Sequence, residues 1–102
     1  MYKGVFKAVY EIVKQIPKGR VATYGDIANL MGNKHFTQRV GYALYAIKDI
    51  EAVPTHRVVN RYGELSKSFR FGGVDGQREL LEKEGIVFEE KAKVDLEKYR
   101  WK

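Results

Sequence analysis

Apolar residues recur at Val5, Phe6, Val9, Ile12, Val13 and Ile16, three or four positions apart, a spacing that predicts an amphipathic helix over 5–16. Pro17 and Gly19 end it, because proline cannot continue a helix and glycine readily leaves one. Thr23 follows as an N-cap, with Asp26 three residues later able to reach back to the free backbone amides. The helix it opens, about 24–31, carries Ile27, Ala28, Leu30 and Met31 and stops at Gly32-Asn33. A third helix is predicted from Thr37 to about Lys48, with Val40, Ala43, Leu44 and Ile47 on its buried side. Two short helices joined by a glycine turn form a helix-turn-helix whose second member is the candidate recognition helix. Its exposed side carries Gln38, Arg39, Tyr42 and Tyr45.

Beyond residue 50 the pattern shortens. Val53 to Val59 is a β-leaning segment interrupted by Pro54-Thr55-His56-Arg57, and Asn60 to Gly63 is a turn signal, which together predict a hairpin or wing. Ser66 to Gly73 reads as a loop holding Phe69, Arg70 and Phe71. A helix over Gln77–Glu84 ends at Gly85, a short strand over Ile86–Phe88 follows, and Leu96, Tyr99 and Trp101 make the tail apolar enough to dock. The fold expected is mainly α with a small β component, a winged helix-turn-helix-like single domain over residues 1–102.

Composition narrows the chemistry. The absence of cysteine excludes disulfides, thiolate metal sites and thiol catalysis. His35 and His56 stand 21 positions apart and share no helix face, so no metal site is expected, and no cofactor motif occurs. No run approaches the roughly 20 apolar residues of a membrane span and no signal peptide opens the chain, so a cytoplasmic protein is expected. Lysine and arginine number 19 against 13 acidic residues, a net charge of +6. The acidic residues crowd into 75–97, leaving the first 74 residues the more basic part, where a polyanion such as nucleic acid would bind. Gly41 sits inside the recognition helix, where glycine costs up to about 1 kcal/mol against alanine. Either another backbone comes close there or the cost is tolerated.

Several separated segments then coincide with one family. Ile16-Pro-Lys-Gly-Arg-Val-Ala-Thr-Tyr-Gly-Asp-Ile-Ala28 resembles the start of the DNA-binding domain of O6-alkylguanine-DNA alkyltransferases, and Arg39-Val-Gly-Tyr-Ala-Leu44 resembles their recognition helix. Val53-Pro-Thr-His-Arg-Val-Val-Asn60 is similar to their active-site signature Pro-Cys-His-Arg-Val, and Leu80-Leu-Glu-Lys-Glu-Gly85 to the helix that follows it. Thr55 stands where the alkyl-accepting cysteine belongs. Transfer in that family is a single attack by a thiolate that the neighbouring histidine activates, and a threonine hydroxyl at neutral pH is no substitute. The chain therefore resembles the alkyltransferase-like proteins, in which another residue, usually tryptophan or alanine, replaces the cysteine. The start directly at the DNA-binding domain and the ending Leu96-Glu-Lys-Tyr-Arg-Trp101 are similar to theirs.

The resemblance implies a monomer that binds O6-alkylguanine in double-stranded DNA from the minor groove, flips the base into a pocket without catalysis, and flags it for nucleotide excision repair proteins. It implies DNA and flipped-base contacts at Tyr24, Gln38, Arg39, Gly41, Thr55, His56, Arg57, Val58 and Arg70, and no catalytic residue. Tyr24 would rotate the nucleotide and line the pocket. Backbone carbonyls at Thr55 and Val58 would read the guanine's exocyclic amine. His56 would hold the loop, Glu84 would orient that histidine, and Asn60 would tie backbone groups at its turn. In the family an arginine three residues before the recognition-helix glycine fills the gap left by the flipped base. Here that position is Gln38, with Arg39 a helical step of about 100° away. Either Gln38 fills the stack or Arg39 swings in. The loop at 66–73 is about two residues longer than in the cysteine enzymes, and Phe69 or Arg70 could face the alkyl group. Two other readings stay open on the residues: a Cys-to-Thr variant of an active alkyltransferase, and a winged-helix transcription factor reading an operator through the major groove.

Overall fold

In the computed structural model, which describes residues 2–102, the first apolar stripe lies on helix α1 (Tyr2–Val13), with Val9 and Val13 fully buried. The helix stops three residues short of the expected Ile16. The Gln15 and Ile16 amides bond to the carbonyls three residues back, at Ile12 and Val13, because Pro17 disfavours helical geometry in the residue before it. Helix α2 (Tyr24–Leu30) starts as its sequence dictates. Thr23 Oγ1 accepts from the Asp26 amide and Asp26 Oδ2 accepts from the Thr23 amide, both at 3.0 Å, closing a capping box. A 3-10 turn over Lys34–Phe36 leads into α3 (Thr37–Tyr45), which ends before the expected Lys48 because the Ile47 amide turns to Leu44. Val40, Ala43 and Leu44 face inward with Val9, Val13, Ile27 and Ala28, and the Tyr10 hydroxyl donates to the Ala43 carbonyl at 2.8 Å.

The β component differs from expectation. Within 53–59 only Val58–Val59 is a strand (β2), because Thr55–Arg57 coil into a 3-10 turn after Pro54. Its partner is β1 (Ala22–Thr23), parallel, with Ala22 opposite Val58 and Thr23 opposite Val59. The turn at Asn60–Gly63 does form: Asn60 Oδ1 accepts from the Tyr62 and Glu64 amides at 2.9 and 2.8 Å. It makes no hairpin on β2, however; Glu64 instead bridges antiparallel to Lys93. Gly63 permits that approach, since it has φ 85° and a Cβ there would lie 2.3 Å from the Val94 carbonyl oxygen. The chain end supplies a further neighbour to the sheet, with the Val21 amide bonded to Tyr99 and the Trp101 amide to Val21.

Helix α4 (Gly73–Lys83) begins one turn before the expected Gln77. Gly76 lets the preceding loop fold onto this extra turn, because a Cβ there would collide with the Phe71 carbonyl at 2.1 Å. Gly85 and Ile86 close the helix by donating to Glu82 and Leu81, the two bonds of a Schellman end. The predicted strand over Ile86–Phe88 is absent. Burial alternates there, Ile86 inside and Val87 outside, but the Val87 amide goes to the Tyr99 hydroxyl rather than to a strand. A last short helix, α5 (Leu96–Tyr99), docks the tail as its apolar residues predict. A second core of Val21, Val59, Leu65, Leu81, Ile86 and Val94 therefore joins the sheet to α4 and the tail.

Candidate nucleic-acid interface

A cleft of about 770 Å3 opens between the outer side of α3 and the loop at 66–70. That is within the size range of small-molecule sites. Helix α3 supplies one wall through Gln38, Gly41, Tyr42 and Tyr45, and the opposite wall is Ser66 to Arg70. Thr55, Val58 and Gln77 line it from the signature segment and α4, and Tyr24 enters from the first residue of α2. Burial pushes the Tyr24 phenol above its usual pKa, an effect opposed by the Ser66 hydroxyl beside it, so the ring carries a neutral O–H. Gly41 is open: a Cβ built there would meet nothing within 4 Å. The space there is not taken up by packing from another part of the chain.

Directly behind the cleft lies an ionic network. Glu84 Oε2 accepts from Arg57 Nη2 and His56 Nε2 at 2.7 Å each, and Arg57 Nε donates to Glu84 Oε1 at 3.0 Å. Arg57 Nη1 also reaches the Ile16 carbonyl at 2.8 Å, which ties the signature segment to the turn that follows α1. Burial raises the Glu84 carboxyl, but the bonds from Arg57 and His56 outweigh it and hold the pKa at about 2. Burial pushes the His56 imidazole below its usual range despite the carboxylate beside it, so the ring is neutral at pH 7. With Nε2–H given to Glu84, Nδ1 is the bare nitrogen; it is buried and has no hydrogen-bond partner among the described residues. The pair fixes the loop that presents Thr55.

The residues expected at the site fall in three places. Tyr24, Gln38, Gly41, Thr55, Val58 and Arg70 line one cleft. His56 and Arg57 stand behind it in the network with Glu84, and Arg39 is outside, its guanidinium 4.5 Å over the Phe36 ring. Gln38 Nε2 instead donates to the Tyr42 hydroxyl at 3.0 Å along the cleft side of α3. Arg70 spans the mouth, donating to the Tyr45 carbonyl at 3.0 Å with its guanidinium 5.3 Å from the Tyr45 ring centre. Phe69 lines the same wall, edge-on to Phe71.

Gln77 is the residue that sequence reasoning missed. It is 1% exposed, and its amide joins three pieces of the site. Oε1 accepts from the Ser66 amide at 2.9 Å, while Nε2 donates to the His56 and Val58 carbonyls at 3.1 and 3.0 Å. A flipped amide would set like against like at all three contacts, so the orientation is determined. A signal was present: Gln77 falls between Val74 and Leu81 on the inward stripe of α4, where a polar side chain must find buried partners.

Residues 4–86 match the DNA-binding domain of 6-O-methylguanine DNA methyltransferases. The chain belongs to that family. Among its relatives, the DNA base-flipping protein of Vibrio parahaemolyticus is 39% identical over 93 residues, which span 91% of each chain. Alkyltransferase-like protein 1 of Schizosaccharomyces pombe is 36% identical over 101 residues, covering 95% of this chain and 94% of that one. The crystal structure of that yeast protein in complex with damaged DNA containing O6-carboxymethylguanine superposes with a TM-score of 0.87 at 35% identity, over 98% of this chain and 96% of that chain. The helix-turn-helix with its small sheet is thus the fold of this family's DNA-binding domain. This chain carries Thr55 in its signature segment and holds no cysteine at any position. Among the described residues no group of three or more His, Cys, Asp or Glu is placed to hold a metal, and no helix is long and apolar enough to cross a membrane.

Proposed function

We propose that this protein binds O6-alkylguanine in double-stranded DNA, rotates the lesion into the cleft beside α3, and leaves the alkyl group in place. The observation that carries the reading is Thr55 on a cleft whose other parts suit a purine. Tyr24 offers an aromatic face and a neutral hydroxyl, Thr55 and Val58 line the cleft from the signature segment, and Gly41 leaves room for the sugar-phosphate chain. Without a thiolate the cleft holds no strong nucleophile for the alkyl carbon, and His56 Nδ1, though bare, makes no hydrogen bond to the Thr55 hydroxyl, which is in any case a far weaker acid than a thiol. The relatives named for base flipping and alkyltransferase likeness, and the yeast complex with damaged DNA, support the same reading. A basic surface supplies affinity for any duplex, and the cleft adds preference for the lesion. A bound, unrepaired lesion then acts as the mark that nucleotide excision repair proteins recognise.

Titration of one duplex carrying either guanine or O6-methylguanine at a single site tests this reading. Tenfold or tighter binding of the methylated duplex is expected, and equal affinities would refute it.

A further inference from the structure

The gap that a flipped base leaves in the duplex must be filled, and Gln38 is the α3 side chain best placed on the cleft to do so. A glutamine amide is short and neutral, so by itself it is a weak plug. One helical turn on stands Tyr42, whose ring is 59% exposed and, among the described residues, has the Gln38 amide as its hydrogen-bond partner. No ring or cation pairing with another described side chain covers it, unlike Tyr45, which lies under Arg70. Tyr42 and Tyr45 are both more than half exposed and stand three positions apart on α3, so they form one patch of exposed ring rather than a single stray side chain. Between the two residues the helix carries Gly41, where, apart from the adjoining residues and the helix's own backbone, no atom would come within 4 Å of a Cβ. The result is a flat, uncovered ring beside a strip of helix without a side chain, hydrogen-bonded at 3.0 Å to the residue at the gap.

We infer that Gln38 and Tyr42 act together as a two-part wedge, the Gln38 amide entering the gap and the Tyr42 ring stacking on the base exposed at its edge. The hydrogen bond from Gln38 Nε2 to the Tyr42 hydroxyl couples the two, so the amide is presented ready for insertion rather than ordered on binding. Stacking on an aromatic ring is tolerant of base identity, so the wedge would work beside any neighbouring pair. The inference rests on the reading of the cleft as a receptor for a flipped base.

A double-mutant cycle tests it, with Tyr42→Leu, Tyr42→Phe, Gln38→Ala and Gln38→Ala/Tyr42→Leu titrated against the paired guanine and O6-methylguanine duplexes. Both side chains are exposed, so thermal melts of all four variants should overlay that of the parent. Tyr42→Leu is expected to weaken lesion binding about tenfold, the size of one base-ring stack, and undamaged binding less than twofold. Tyr42→Phe keeps the ring and should lose only about two- to threefold. The double variant should lose less than the product of the single losses. If Tyr42→Leu keeps lesion affinity within twofold, or weakens both duplexes equally, the wedge is overturned while the flipped-base reading stands. If the parent itself shows no lesion preference, both fall together.

Discussion

Removing the Glu84 carboxylate should cost more stability than any surface change in the molecule. Its side chain is 11% exposed and faces Arg57 at 12% and His56 at 7%, so three polar groups share one largely dry space. In Glu84→Ala, Arg57 keeps the Ile16 carbonyl but loses its counter-ion, and His56 loses the partner of Nε2. Breaking a buried pair from one side costs about 3–5 kcal/mol, because the remaining charge stays desolvated. In a domain of about 100 residues each kcal/mol lowers Tm by roughly 5 °C, so a fall of about 15–25 °C is expected. Glu82→Ala is the control: its pair with Arg78 is half in solvent, and the loss should be about 0.5 kcal/mol. The acid limb gives a second readout. The Glu84 carboxyl titrates at about 2 in the fold against an ordinary 4.5, so its stabilisation is complete above about pH 4.5 and vanishes as pH falls towards 2. His56, held neutral by burial, has the same sign and adds a loss that begins as pH falls below about 6.5. Differential scanning calorimetry from pH 7 to pH 2 should show parent and Glu84→Ala curves converging at the acid end. A Tm change under about 5 °C at pH 7, or a constant gap down to pH 2, would refute the argument.

The remaining predictions concern DNA. Gln38→Arg should tighten lesion binding by about 1 kcal/mol or more, since a planar guanidinium stacks well and is attracted into the minor groove, while Arg39→Ala should weaken binding to all duplexes alike. Loss of lesion preference in Arg39→Ala, with no effect of Gln38→Arg, would mean that the Arg39 guanidinium leaves Phe36 and enters the stack. Tyr24→Ala should lose most of the preference for O6-methylguanine while keeping affinity for plain duplex; full discrimination in a folded variant would refute its place in the pocket. Affinity for either duplex should fall at least about tenfold between about 50 and 200 mM salt, as phosphate contacts release counterions, and a flat response would show that the net charge does not serve DNA.

What was legible in the sequence was local. Thr23 and Asp26 write a capping box within four residues, Asn60 writes its turn within five, and the buried stripes of α1 to α3 follow from spacing alone. What failed depended on distant partners. The segment around Pro54 carries β-formers, but its strand exists only where β1, some 36 residues earlier, offers a parallel edge. Ile86 to Phe88 alternates as a strand should, yet the amide it exposes was claimed by a tyrosine side chain of α5. The site behaves likewise. The signature around Thr55 was visible as a motif, whereas the bonds of Gln77 to Ser66, His56 and Val58 join segments that only the fold brings together.

The central claim is specific binding without chemistry, and one measurement addresses both halves. A duplex with a single O6-methylguanine carrying an isotopic label in its methyl group is bound to saturation by the protein, held for hours, and separated under denaturing conditions. The account predicts a complex tighter than that of the guanine duplex and, after separation, all of the label on the DNA. Label on the protein in proportion to complex formed would contradict it, because Thr55 would then have accepted the methyl group.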